Sequence, residues 1–312
     1  MKWWPALLLP LAAGSSALAH AIELQPIQVT PRVFYVQGKP GIASAENEGF
    51  NSNAGFVVTD DGVVVVDALG TPALGEALLR AIRKVTPKPI RRVIVTHYHA
   101  DHFYGLEPLR RAGAGIWAHR AALDYLDSGE GARRLQQRAR DLFPWVSDTM
   151  PLVRADRWLE GDERFELGGI RFDVVHMGPA HSPEDLIVVV PGEAVIFSGD
   201  ILFAGRIPFV GEADSKRWLE RIGTLLALEP VLMVTGHGPV SRNPRADLAL
   251  TREYLLYLRA TMGKAVEELT PFEEAYAKVD WSRFAKVPAF DVANRINAYG
   301  TYILMEREAL SR

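Results

Sequence analysis

Apolar and polar positions along the chain follow two different periods. From Ile27 to Asp67, short runs rich in valine and aromatic residues are separated by polar turns, which predicts strands over 27–29, 33–37, 54–59 and 62–67. Asp61-Gly62 is a hairpin-turn pair, and the unbroken run from Val63 to Val66 predicts a strand buried on both faces. The period then changes. Leu74, Ala77, Leu78, Ala81 and Ile82 share one face of a helix over 71–85, with Thr71 as its cap and Pro72 in its first turn. A short apolar strand follows at 91–96. Helical spacing returns at 106–112, 121–126 and 131–143, with a strand at 116–119 between the first two. A second β-rich block spans 158–199, with strands at 164–167, 170–176, 186–190 and 194–198, then a helix at 215–228 and a strand at 231–235. Beyond Pro244 the pattern is helical (247–269, 271–278 and 293–310), with Tyr254, Leu255, Leu258, Met262 and Val266 on one face. The order β-block, helices, β-block, helices predicts an α/β fold of two similar halves packed sheet on sheet.

Composition narrows the function classes. A formal net charge of −3 with no basic run gives no electrostatic footprint for nucleic acid or an anionic membrane. Residues 1–19 pair Lys2 with an apolar run from Pro5 to Ala13 and end in Ala17-Leu18-Ala19, the pattern of a cleaved signal peptide. Cleavage after Ala19, or after Ala21, predicts an exported periplasmic or secreted protein with no membrane segment left. The absence of cysteine removes disulfides, thiol nucleophiles and thiolate ligands, so any metal must be held by nitrogen and oxygen.

Three of the eight histidines lie in Thr96-His97-Tyr98-His99-Ala100-Asp101-His102, at the end of the 91–96 strand. Imidazoles two residues apart can aim at one point, and Asp101 and His102 on the following turn can aim at a second. Imidazole and carboxylate without sulfur suit zinc, and less exclusively iron or manganese. His181, Asp200 and His237 each follow an apolar strand, in small-residue turns that let the backbone pass close to a ligand. His20, His119 and His176 lack that context; His176 is the reserve candidate.

HxHxDH after an apolar strand, followed in order by Gly-x-Ala-His, Ser-Gly-Asp and Gly-His-Gly, resembles the metallo-β-lactamase superfamily over roughly Phe34 to Pro239. The resemblance implies an αββα four-layer sandwich with a dinuclear site on one edge between the sheets. It divides the chain into a catalytic domain over 20–243 and a C-terminal helical extension over 244–312, packed on the core. It places His97, His99 and His181 on one zinc, Asp101, His102 and His237 on a second, and Asp200 between them, a ligand set like that of glyoxalase II. Asp67 would orient a ligand histidine. The commonest β-lactamases have cysteine where this chain has Asp200. Gly205 to Gly211, Asp214-Ser215 and Asn294 to Tyr299 are similar to segments of exported hydrolases linked to sulfur oxidation and quinoprotein pathways.

The chemistry implied is hydrolysis of a small ester, thioester, lactone or lactam by a hydroxide shared between the cations, with Asp101 orienting it and Asp200 fixing the spacing. Two alternatives stay open: a mononuclear iron oxidoreductase of the persulfide dioxygenase kind, and a non-catalytic metal-binding accessory protein. For the substrate side, the loop over 38–53 is expected as a flap with Phe50 at its tip. Phe143, Trp145 and Phe209 are expected as an apolar roof, and Arg206 as a binder of a substrate carboxylate. Monomer and homodimer are both compatible with the sequence.

Overall fold

The computed structural model describes residues 22–311, so the signal segment expected over 1–19 lies outside the described residues. Its strands form two sheets. The first has the order β1 (Ile27–Gln28), β2 (Val33–Val36), β3 (Ala54–Val58), β4 (Val63–Val66), β5 (Ile90–Ile94), β6 (Gly115–His119) and β7 (Arg157–Leu159). Pairing is antiparallel from β1 to β4 and parallel from β4 to β7. The second sheet has β8 (Glu163–Leu167), β9 (Ile170–His176) and β10 (Leu186–Val190), then β11 (Val195–Phe203) and β12 (Leu232–His237), in that spatial order. Only its β11–β12 pair is parallel.

Alternating side chains turn these sheets into three apolar layers. In β4, Val64 and Val66 face the other sheet, while Val63 and Val65 face a helical layer, so both faces are buried as the valine run predicts. In β10, Leu186, Val188 and Val190 point inward and Ile187 outward. The inner layer is closed by Tyr35, Val57, Phe172, Phe197 and Val234. Helices α1 (Pro72–Val85), α2 (Ala100–Phe103), α3 (Leu106–Arg111), α4 (Ala122–Asp127) and α5 (Glu130–Asp141) cover the first sheet. Helices α6 (Ser215–Ala227), α7 (Pro244–Glu267), α8 (Phe272–Lys278) and α9 (Phe290–Leu310) cover the second. The result is the αββα sandwich.

Local chemistry sets the helix starts. The Thr71 hydroxyl accepts from Leu74 N at 3.2 Å with Pro72 in the first turn, and the Asp214 carboxylate accepts from Arg217 N at 2.9 Å to cap α6. Two expectations need correction. The Trp158 segment does not open the second β-block: as β7 it pairs with β6 at the edge of the first sheet, Ala118 opposite Trp158. The strand expected to stop at Ser198 continues to Phe203, because a register shift at Gly199 absorbs the Ser-Gly-Asp sequence inside the strand. Among the described residues, no helix is long and apolar enough to cross a membrane.

Candidate metal centre

At one end of the sandwich the two sheets are joined by backbone hydrogen bonds, Asn53 N to Gly236 O at 2.7 Å and Leu186 N to Thr96 O at 2.9 Å. The seven candidate ligands converge there. His97 and His99 follow β5, Asp101 and His102 sit in α2, His181 lies between β9 and β10, Asp200 is inside β11, and His237 ends β12. They form two groups, His97, His99, His181 and Asp200, then Asp101, His102 and His237, with ligand atoms within 4.8 Å of one another in each. Asp200 reaches both. Its Oδ2 is 3.3 Å from His181 Nε2, 3.8 Å from His97 Nε2 and 3.4 Å from His237 Nε2, and its Oδ1 is 3.4 Å from His102 Nε2. Asp101 Oδ2 lies 3.3 Å from His237 Nε2. Gly236 makes room for Asp200, since a Cβ there would come within 1.9 Å of Asp200 Oδ1.

Hydrogen bonds outside the cluster decide which ring nitrogens face inward. Asp67 Oδ2 lies 2.9 Å from His102 Nδ1 and accepts from the Thr96 hydroxyl at 2.8 Å. The same hydroxyl oxygen is 3.0 Å from His97 Nδ1. Asp67 therefore holds the proton on Nδ1 of His102 directly, and on Nδ1 of His97 through Thr96, leaving both Nε2 atoms as acceptors. Asn51 O does the same for His237 Nδ1 at 2.8 Å. Asp67 keeps this position with a left-handed backbone, φ 62°, a cost typical of functional turns.

This geometry fits a metal. The Nε2 atoms of His97 and His102 and Oδ1 of Asp200 are buried without a hydrogen-bond partner. His181 Nε2 and His99 Nδ1 face each other at 2.9 Å, where at most one can carry a proton. Burial, reinforced by neighbouring imidazoles, keeps His97 and His181 below the ordinary histidine range and brings His99 to about 3, so all three are neutral electron-pair donors. Burial opposes charge on His102 and His237 too. Around His102 it is outweighed by Asp200, Asp67 and Asp101, which raise it well above 6.5; around His237, Asp200 and Asp101 raise it to about 9. Both aspartates of the cluster are held well below the usual carboxylate range, Asp101 by His102 and His237, Asp200 by His237 and His102, against the cost of burial. A divalent cation in each group would take the place of those protons.

Several supporting residues escaped the sequence reading. Asn51 Nδ2 donates to Asp101 Oδ2 at 3.2 Å, and the Ser52 hydroxyl donates to the Asp101 carbonyl. Asp185 accepts from Ser182 N and Oγ, both at 2.8 Å, fixing the His181 turn, and Glu184 accepts from Tyr98 N at 3.0 Å. The available signal was the polar triplet Asn51-Ser52-Asn53 before an apolar strand. His176 lies outside the cluster, its ring stacked on His119 at 3.7 Å.

The substrate-side expectations divide. Phe50 is no exposed tip: it is 7% exposed and belongs to the apolar core between the first sheet and its helices. Its loop is instead closed by polar contacts, including Trp145 Nε1 to Ala45 O at 2.9 Å. Phe143 and Phe209 are exposed, at 74% and 42%, so neither forms a closed roof. Arg206 lies half-buried near the centre, its guanidinium 5.9 Å from the Phe203 ring, which stacks on His237.

The sandwich and its paired His/Asp clusters define a class that the comparisons also reach. The model of the metallo-beta-lactamase superfamily matches residues 47–237, and the chain belongs to that superfamily. Among curated proteins it is similar to a linear primary-alkylsulfatase of Pseudomonas sp. (23% identical over 257 residues, 70% of this chain and 48% of that protein). It is also similar to a metallo-beta-lactamase type 2 of Elizabethkingia meningoseptica (25% over 193 residues, 60% and 69%). The fold matches the inverting sec-alkylsulfatase Pisa1 of Pseudomonas sp. with a TM-score of 0.68 at 18% identity, covering 89% of this chain and 50% of that one. The chain thus spans about half the length of each alkylsulfatase.

Proposed function

We propose that the protein is a zinc-dependent hydrolase with two metals per chain, acting on a small ester, thioester, lactone or lactam. The observation that carries this reading is Asp200, whose carboxylate lies within 3.3–3.8 Å of imidazole nitrogens from both clusters. His97, His99 and His181 would hold one cation and Asp101, His102 and His237 the other, with Asp200 shared. When bound, such a pair supplies Lewis-acid charge stabilisation and lowers the pKa of water to about 7. The chain's own residues supply orientation. Asp67 and Asn51 O fix three imidazoles in the tautomer that presents Nε2, and Asp101, steadied by Asn51 Nδ2, is placed to accept a proton from an attacking water. The small-molecule substrate would meet the cluster beside the loop over 38–53. Residues 1–19 support export to the periplasm or beyond.

Turnover is measured on thioesters, lactones, cephalosporin-type lactams and alkyl sulfates, the last because two relatives carry that activity in their names. Hydrolysis of at least one class is expected, abolished by chelation and restored by zinc. Asp200→Ala is expected to lose most of one metal and to lower turnover by more than the roughly 10–100-fold typical of a residue that only orients a ligand. Near-normal turnover with two bound metals in that variant, or one bound iron with oxygen consumption in the wild type, contradicts the reading.

A further inference from the structure

The loop over 38–53 ends in Asn51-Ser52-Asn53, and all three residues bond to the same metal group. Asn51 O accepts from His237 Nδ1 at 2.8 Å, Asn51 Nδ2 donates to Asp101 Oδ2 at 3.2 Å, and the Ser52 hydroxyl donates to the Asp101 carbonyl. Asn53 grips the backbone on both sides of His237. Its N donates to Gly236 O at 2.7 Å, and its Nδ2 donates to Thr235 O and Gly238 O, both at 2.8 Å. Ser52 and Asn53 are buried. The Asn51 amide leaves its own Oδ1 buried without a partner, a cost tolerated because the Asp101 carboxylate needs the donor end.

The neighbouring group is held from elsewhere. Asp67 reaches His97 through Thr96, Asp185 fixes the His181 turn through Ser182, and Tyr98 N, between His97 and His99, donates to Glu184. Among the described residues, no hydrogen bond joins the triplet to His97, His99 or His181. The triplet is also tied to the rest of its loop. Asn53 Oδ1 accepts from Gly38 N and Phe50 O from Lys39 N, both at 2.9 Å, so the two ends of the loop are stitched together. At Gly38 a Cβ would fall 2.5 Å from Asn51 C, and at Gly70 one would lie 2.9 Å from Gly49 O and 3.2 Å from Asp101 Cα. Loop, triplet and the Asp101 backbone are thus packed in direct contact. A displacement of the loop that moves the triplet removes partners from Asp101 and His237 together.

We propose that Asn51-Ser52-Asn53 positions the Asp101, His102 and His237 group and not its neighbour, so that a cation in that group and the loop over 38–50 order each other. Hydrogen-bond partners behind metal ligands are worth about 10–100-fold in metal affinity. Linkage is reciprocal: if the cation binds more weakly when the loop is displaced, its binding makes displacement rarer by the same factor. The proposal rests on the two-metal reading and adds to it a device in which occupancy of one metal group sets the order of the loop beside it.

The test follows zinc binding and backbone amide exchange together, without turnover. Metal-free protein receives zinc in steps to two equivalents, and the affinity for each is read by chelator competition. Exchange is followed over 38–50, where the amides of Gly38, Lys39, Gly49 and Phe50 are hydrogen-bonded within the loop. It is expected to slow about tenfold or more with one of the two equivalents and to change little with the other. Asn51→Ala and Ser52→Ala are each expected to weaken that same equivalent by about 10–100-fold, to leave the other unchanged and to lose most of the loop's protection. General loosening of the fold would weaken both. Exchange over 38–50 that is indifferent to zinc, or variants that weaken both equivalents alike or neither, overturns the proposal while leaving two metals in place. If a variant fails to fold, the wild-type series still decides. A wild type that saturates at one equivalent refutes the two-metal reading instead; the clamp then stands if that zinc slows exchange over 38–50, and falls if it does not.

Discussion

Asp67 makes three hydrogen bonds, to Thr96 N and Oγ1 and to His102 Nδ1, at 2.8–2.9 Å, and through them sets the tautomer of one imidazole in each cluster. An asparagine there keeps the shape but must turn an N–H towards either Thr96 or His102. Asp67→Asn is expected to lower zinc affinity by about 10–100-fold, measured by chelator competition; unchanged affinity would show that Asp67 supports only the turn. At this scale the candidate ligands were legible in the sequence because four of the seven are packed into HxHxDH and the other three lie in the short glycine-containing segments GPAH, SGD and GHG. Their supports were less so. Thr96 and Asn51 are ordinary polar residues until the fold brings Thr96 against Asp67 and Asn51 O against His237. Phe50 read as a loop tip because its neighbours are polar, yet its ring turns back into the core.

At the level of elements, β11 shows how a local rule can mislead: Ser-Gly-Asp reads as a turn, but the strand carries on past Gly199 and uses the register shift to aim Asp200 between the clusters. The edge strand β7 was misplaced for a related reason, since its polar flanks give no sign of which sheet it joins. The ends of β6 and β9 meet through the stacked rings of His119 and His176. Burial, then the nearby His176 ring, lower His119 from 6.5 to about 4. A group depressed in this way contributes stability that is complete above about 6.5 and is lost as pH falls through about 4. His119→Phe, which keeps a flat ring without the proton, should therefore lose less thermal stability than the wild type between those pH values. Parallel pH profiles of Tm would show that the pair has no such role.

For the molecule as a whole, the two sheets share one inner layer, in which Gly55 of β3 receives the ring of Phe197 from β11. A Cβ at Gly55 would lie 2.2 Å from Phe197 Cε1, so Gly55→Ala is expected to cost about 1–3 kcal/mol by overpacking, within a single denaturant transition because both halves lose the same layer. An unchanged midpoint would place the sheets further apart than described. This architecture was legible from the alternation of periods 2 and 3.6 and the valine run of β4. What the pattern could not convey is that α9 holds the loop after β11 through Asn297, which bonds Pro208 O, Val210 N and Gly211 N, because one buried asparagine carries no periodicity. The central claim, a two-metal centre shared through Asp200, is met most directly by stripping the protein of metal, titrating it with zinc and measuring bound zinc by elemental analysis. Two equivalents per chain are predicted; saturation at one equivalent, or no tight binding, would contradict the account.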